Sequence, residues 1–188
     1  MNNTPEEDDA FLTRVKTILS QVFHTEQEEE LNKLGEELNT LSQDGRMLPH
    51  IDTIQQYIQR NADTLNGVAL YHFASQLLTT SKDTEAVKLG LSILELFHTD
   101  QDASLKDIIR ILSRCNEFTL FGGYVMRQWK HGNEDLFRTL QEVDGWGRIF
   151  GIELLEVDGG EIRAWLMAEG VHNTILPGYS AINTYEKT

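Results

Sequence analysis

The sequence has few of the residues on which secreted and membrane-bound proteins depend. Only one cysteine, Cys115, occurs in 188 residues, so an intramolecular disulfide framework is excluded and a reducing cytoplasm is indicated. The three prolines leave room for long uninterrupted helices. No apolar run approaches the roughly 20 residues of a membrane span, and the polar, acidic start is neither a signal nor a transit peptide. We therefore expect a cytoplasmic protein without a membrane partner.

Basic residues are also scarce. The chain has 16 Lys and Arg against 30 Asp and Glu, which gives a net charge of −14 and a pI near 4.7. Nucleic acids and anionic membranes are bound mainly through lysine and arginine. The charge therefore argues against both as partners.

The common motifs of catalysis and cofactor binding are missing as well. The sequence has no glycine-rich phosphate loop, no GxGxxG and no GxSxG nucleophile turn. None of the six histidines has another histidine three or four residues away, the spacing that metal-binding helices use. Cys115 has no second thiolate beside it and is interpreted as a small buried side chain; the alternative is a reactive thiolate favoured by the positive charges of Arg110 and Arg114 nearby in the sequence. The sequence thus predicts no catalytic residue, no cofactor and no metal ion, and it favours a non-enzymatic protein.

The sequence does contain strong helical periodicity, most clearly in residues 145–170, GWGRIFGIELLEVDGGEIRAWLMAEG. The first helix predicted there is apolar nearly all round, whereas the second, over 161–169, has a single apolar stripe. A turn at Asp158-Gly159-Gly160 separates them. A buried helix followed by a covering helix is typical of one unit of a helical repeat.

The first 45 residues have a different pattern. Two short apolar seams recur there at coiled-coil spacings, one formed by Phe11, Val15, Ile18 and Val22 and the other by Leu31, Leu34, Leu38 and Leu41. We interpret residues 6–43 as a helical hairpin within a domain of residues 1–45. The hairpin packs either on the rest of the chain or on a second copy, which would make a homodimer.

From residue 64 onward, segments that are apolar on most sides alternate with one-sided segments. Residues 66–78, NGVALYHFASQLL, and 85–97, EAVKLGLSILELF, are of the first kind, and residues 145–170 contain one segment of each kind. This pattern resembles the HEAT-like, or armadillo-like, α-solenoids, and Arg148 lies near the start of one helix as in such repeats. The resemblance implies an all-α fold in which an α–α superhelix over residues 46–188 follows the N-terminal hairpin. The last segment, NTILPGYSAIN, has inner-helix character without a covering partner, so we expect the native protein to extend beyond Thr188.

Curved helical repeats usually bind extended partners, so the sequence favours a protein–protein interaction or scaffold module with a protein or peptide partner. The alternative is a DNA-repair enzyme similar to the HEAT-like alkylpurine DNA glycosylases. That function requires a basic concave stripe, for which the candidates are Arg127, Lys130, Arg138, Arg148 and Arg163.

The candidate binding residues lie in and just after the segment 145–170. Glu153 shares a helix with a tryptophan, and a carboxylate beside tryptophan can bind a cation or a polar group. The alternative for Glu153 is a salt bridge to a neighbouring unit. The predicted site comprises Trp146, Arg148, Glu153, Trp165, His172 and Asn173.

Overall fold

The computed structural model describes residues 5–25, 27–43 and 45–187, with the backbone alone for residues 5–8. Within these ranges the protein is all-helical, with eleven α-helices and no β-strand. The all-α class predicted from the sequence is therefore confirmed. No helix in the described ranges is both long and apolar enough to span a membrane.

The chain divides between Phe97 and His98 into two compact units. The first unit contains helices α1 (Pro5–His24), α2 (Glu28–Ser42), α3 (Ile51–Arg60), α4 (Gly67–Thr80) and α5 (Thr84–Leu94), with a 3₁₀ turn at Leu48–His50. The second contains α6 (Ala103–Ser113), α7 (Thr119–Met126), α8 (Gly132–Glu142), α9 (Gly145–Leu154), α10 (Gly160–Trp165) and α11 (Pro177–Lys187). The second unit also has a 3₁₀ turn at Thr99–Gln101 and a π-helical segment at Leu166–Gly170.

Helix α5 is buried on almost every side and forms much of the core of the first unit. Its fully buried side chains are Ala86, Leu89, Leu91, Ile93 and Leu94. Helix α4 packs closely along it at Gly90, where a Cβ would lie 2.6 Å from Leu78 Cδ1 and 2.9 Å from the Ala74 carbonyl oxygen. The two apolar segments that the periodicity marks as inner helices thus form the α4–α5 pair.

Helices α1 and α2 form a pair and also pack on α4. All eight residues of the two predicted seams are buried, so the seams are covered within the chain itself. A homodimer through residues 6–43 would therefore have to use other faces of the hairpin, and it stays a prediction. The division into domains 1–45 and 46–188 also stays a prediction.

Helix α7 is the inner helix of the second unit, and α6, α8 and α9 pack around it. Two consecutive glycines allow this close packing. A Cβ at Gly122 would lie 2.9 Å from Ser113 Cβ, and one at Gly123 would lie 2.9 Å from Leu154 Cδ1. The short α7 therefore packs closely on α9, which carries Trp146, Arg148 and Glu153 of the predicted site.

The buried carboxylate of Glu85 joins α5 to the start of the 3₁₀ turn and gives a test of the first unit. Its side chain is only 4% exposed, accepts a hydrogen bond of 2.6 Å from the Met47 amide and lies 2.8 Å from Lys88 Nζ. We expect Glu85→Ala to lower the free energy of unfolding by about 3 kcal/mol, because the buried amide loses its acceptor. Urea unfolding followed by circular dichroism measures this loss.

The matched control is Glu29→Ala, which breaks the exposed ion pair between Glu29 and Lys33. Exposed pairs contribute little, so this variant should stay within about 0.5 kcal/mol of the wild type. Equal effects of the two substitutions would contradict the structural role of Glu85.

Candidate functional site

The segment 145–170 forms two helical segments, as the sequence predicts, but with different bounds and a different second helix. Helix α9 ends at Leu154, residues 155–159 are not helical, and α10 begins at Gly160. The second helix then changes to π-helical geometry at Leu166–Gly170. Helix α9 begins at Gly145 with a φ of +68°, which L side chains rarely adopt.

Arg148 occupies the centre of the predicted site, and it binds main-chain carbonyl groups. Its Nε donates to the Val143 carbonyl at 2.6 Å, and its Nη1 donates to the His172 carbonyl at 3.1 Å and more weakly to that of Glu169 at 3.5 Å. The guanidinium also lies 5.9 Å from the centre of the Trp165 ring. Arg148 thus connects the end of α8 to the chain that follows the π-helical segment.

Asn173 and Asp144 fix the next few residues against the start of α9. The buried Asn173 side chain donates to the Gly145 carbonyl at 2.9 Å and accepts from the Ile175 amide at 2.9 Å. The Asp144 carboxylate accepts from both the amide and the hydroxyl of Thr174. The hydrogen bond from the Thr174 hydroxyl, reinforced by main-chain donors and the charge of Arg148, holds the pKa of Asp144 below its usual value.

The side chains of the other three predicted residues, Glu153, Trp146 and His172, make no contact with Arg148 that the structure shows. Glu153 is exposed, its Oε1 accepts from Asn183 of α11 at 3.1 Å, and it forms no ion pair within the described ranges. Its role in binding a cation or a polar group stays a prediction. Trp146 is 43% exposed and stacks on Phe150, with ring centres 5.6 Å apart. The His172 side chain is exposed, and only its main chain meets Arg148. The structure therefore groups Arg148, Trp165 and Asn173 with the His172 backbone, and it separates Glu153 and Trp146 from them.

The feature that the sequence analysis missed is the orientation of α11. The side chains that α11 buries are the small polar Ser180 and Thr184, both fully buried. Large apolar side chains point outward instead, including Tyr179 at 48% and Ile182 at 58% exposed. The sequence predicts an inner helix here, whereas α11 buries its small polar side chains and exposes its large apolar ones. The signal available in the sequence was Ser180 and Thr184, which are four residues apart and so share a face.

Small side chains on α11 allow it to approach the π-helical segment closely. Ser180 Oγ donates to the Gly170 carbonyl at 2.9 Å, and a Cβ on Gly170 would lie 3.4 Å from Thr184 Oγ1. At the other end of α11, Lys187 Nζ donates to two carbonyl groups at the end of α9, that of Glu153 at 2.7 Å and that of Leu155 at 3.2 Å. Helix α11 is therefore attached mainly by hydrogen bonds to main-chain carbonyls, and its apolar side chains stay outside.

Three of the five basic candidates for a nucleic-acid stripe have separate surroundings. Arg148 binds carbonyl groups, Arg138 pairs with Glu134 at 3.7 Å, and Arg163 is exposed on α10. Arg127 and Lys130 do share a cleft of about 310 Å³. Carboxylates also line this cleft, namely those of Glu134, Glu156 and Asp158. The cleft is consequently mixed in charge.

Other reactive groups in the described ranges form no cluster. No group of three His, Cys, Asp or Glu side chains there is placed to hold a metal ion. Cys115 is exposed, which corrects the interpretation of it as a buried side chain. It lies between α6 and α7, where the turn leaves it at the surface.

These observations define an all-α protein whose described C-terminal helix faces outward with its apolar side. Comparison of the chain with known protein families, with curated proteins and with solved structures finds no match.

Replacing Arg148 tests its structural role. Arg148→Met keeps most of the side-chain length but removes the donors to the Val143 and His172 carbonyls. We expect a loss of about 1–3 kcal/mol in the free energy of unfolding and faster amide hydrogen exchange in residues 169–175. Urea unfolding and hydrogen-exchange mass spectrometry measure the two effects. Arg163→Met, at an exposed position, is the control and should change stability by about 0.5 kcal/mol or less.

The lowered pKa of Asp144 predicts a pH dependence of stability. Because the folded-state pKa lies below the unfolded value of about 3.9, the charged carboxylate stabilises the fold above that pH and loses its effect as the pH falls through the folded pKa. Asp144→Asn should therefore be less stable than the wild type near neutral pH, and the difference should shrink below about pH 4. Urea midpoints measured across this range test the effect. A difference that does not change with pH would contradict it, and Asp158→Asn, an exposed carboxylate, is the control.

Proposed function

We propose that this protein is a non-enzymatic protein-binding or scaffold module that engages its partner through the outward face of α11. The observation that carries the proposal is the reversed amphipathicity of α11, with Ser180 and Thr184 inside and Tyr179 and Ile182 outside. Monomeric proteins rarely expose contiguous apolar surface without a use for it, and a helix that turns its apolar side to water is typical of an interface.

The outward face extends beyond the helix itself. Exposed large apolar side chains occur just before it and on it, and we call the following set the α11 face: Ile175, Leu176, Tyr179, Ile182 and Tyr185. Ile175 lies beside Gly145, since a Cβ there would come within 2.8 Å of Ile175 Cδ1, and the exposed Trp146 follows directly. An interface that combines aromatic and aliphatic side chains fits what protein partners bind most strongly.

Within this proposal, the residues selected from the sequence have two kinds of role. Trp146 is a candidate contact residue at the edge of the α11 face. Arg148, Trp165, His172 and Asn173 are positioning residues, because their hydrogen bonds and ring contacts fix the chain that enters α11. Glu153 contributes a carboxylate beside α11 through its bond to Asn183.

The HEAT-like superhelix is also part of the proposal. Its support is the burial of α5 and α7 on most sides, α5 by α2, α3 and α4 and α7 by α6, α8 and α9, together with the periodicity of residues 64–188. A cytoplasmic location and the absence of a nucleic-acid partner are proposed from the single cysteine and the net charge of −14. The mixed charge of the cleft beside Arg127 and Lys130 makes a DNA-repair enzyme the weaker alternative.

Peptide display on the full chain tests the proposed interface. Peptides selected on the wild type should bind the variant Tyr179→Ser/Ile182→Ser at least about tenfold more weakly, because the substitutions remove the apolar contacts. Fluorescence anisotropy measures the dissociation constants. Both residues are at the surface, so thermal unfolding should change little.

The matched control is Ile111→Ser, which removes an exposed isoleucine, 65% accessible, from helix α6. It should leave peptide binding unchanged. Peptides that bind the wild type and the α11 variant equally well would overturn the proposed interface.

A further inference from the structure

We infer that the partner of the α11 face is a basic amphipathic helix, an inference that rests on the proposed function. It comes from the charges on α11 and on the two elements that pack against it, α9 and the π-helical segment. Each of these elements carries an exposed carboxylate, namely Glu153, Glu169 and Glu186. None of the three pairs with a cationic side chain within the described ranges.

The basic residues on the same three elements form no ion pair with these carboxylates. Arg148 on α9 donates its hydrogen bonds to the carbonyl groups of Val143 and His172. Lys187 on α11 donates to the carbonyl groups of Glu153 and Leu155. The three elements therefore carry three exposed, unpaired carboxylates against two basic side chains that are held in place by main-chain oxygens. A partner with lysine or arginine beside its own apolar residues matches this arrangement.

The position of Glu186 places one carboxylate within the stripe itself. Residues seven apart lie on the same side of a helix, so Glu186 lies two turns beyond Tyr179 on the outward face. A purely apolar partner would bury this carboxylate without compensation, which is strongly unfavourable. A basic side chain on the partner opposite Glu186 removes that penalty.

Helix α11 also has a gap on its outward side. Gly178, in the first turn, has no atom within 4 Å of an added Cβ, and Ile182, four residues later, borders it on the helix surface. The gap allows a large side chain of a partner to reach the backbone of α11 beside Ile182.

The partner segment is inferred to be a helix from the backbone and side-chain groups that α11 exposes. Apart from those at its two ends, its amide and carbonyl groups are bonded within the helix, so it cannot add a strand to a sheet, and recognition relies on side chains. Its 11 residues form a stripe about 16 Å long, which a partner helix of three turns covers. A partner helix whose side-chain ridges pack into the grooves of α11, one of them at Gly178, meets these conditions.

The same charges argue against two other occupants. A second copy of the chain would bring together two proteins that each have a net charge of −14, and it would add its own Glu153, Glu169 and Glu186 to the same interface. An anionic membrane surface would be repelled in the same way. The experiments below distinguish both of these occupants from a basic helix.

Two synthetic helical peptides with identical apolar positions, one with lysine and one with glutamate at every flanking position, test the inference on the full chain. The basic peptide should bind at least about tenfold more tightly, and the preference should decrease as salt rises from about 50 mM to about 500 mM. The triple variant Glu153→Gln/Glu169→Gln/Glu186→Gln should lose the preference for lysine while it keeps the apolar contribution. Glu28→Gln/Glu36→Gln/Glu37→Gln, on the exposed side of α2, is the matched control for net charge and should keep the preference.

The outcomes separate this inference from the proposed function. If both peptides bind equally, and Tyr179→Ser/Ile182→Ser weakens both, the basic partner is wrong while the α11 interface stands. If neither peptide binds and display selects no peptide sensitive to that double variant, both are wrong. Dimerisation in light scattering that the double variant abolishes would overturn the inference in favour of a second copy. Binding of phosphatidylserine vesicles that is lost in the double variant would overturn it in favour of a membrane.

Discussion

The candidate site depends on one side chain, Arg148, and on the carbonyl groups that it binds. The carbonyl groups near a helix end have no partner within the helix, and a buried end without partners is destabilising. By donating to the carbonyls of His172 and Glu169, Arg148 supplies partners at the end of the π-helical segment, while its Nε holds the end of α8. The ring of Trp165 covers the guanidinium on one side. The chain leading to α11 therefore has a fixed starting point, which Asn173 and Asp144 reinforce.

The energetics of α11 differ from those of the core helices. Helices α5 and α7 are stabilised by burial of large apolar side chains, at roughly 25 cal/mol per Å². Helix α11 buries Ser180 and Thr184 and is attached through hydrogen bonds, each of which has a net value of only about 1 kcal/mol. Thr184 Oγ1 has no hydrogen-bond partner within the described ranges, which weakens the attachment further. A helix held in this way belongs to the least stable part of a structure, and burial of its apolar face by a partner would add the stabilisation that it lacks.

The sequence predicts the helices better than it predicts the site, for a physical reason. Apolar periodicity in residues 66–78, 85–97 and 145–170 reports directly on burial, so α4, α5 and α9 are found where the pattern indicates. The partners of Arg148 are main-chain carbonyls, which leave no trace in a pattern of side chains. The orientation of α11 is also ambiguous in sequence, because the usual rule that the apolar side faces inward fails when small polar residues allow closer packing. A glycine at position 170 opposite Ser180 and Thr184 is the feature that decides the orientation, and it becomes visible only once the helices are placed.

The α11 face has unpaired carboxylates because the nearby basic residues, Arg148 and Lys187, bind main-chain carbonyl groups. Arg148 and Lys187 are the basic residues on the elements that meet at this face, and each donates to main-chain carbonyl oxygens. Both are therefore held by the main chain and form no ion pair with Glu153, Glu169 or Glu186, which stay exposed. An acidic, apolar surface results even though the two kinds of charge lie close together in sequence. Because removing either cation would loosen α11 and leave the face still more acidic, the charge of this surface cannot be changed from the basic side without also disturbing its shape.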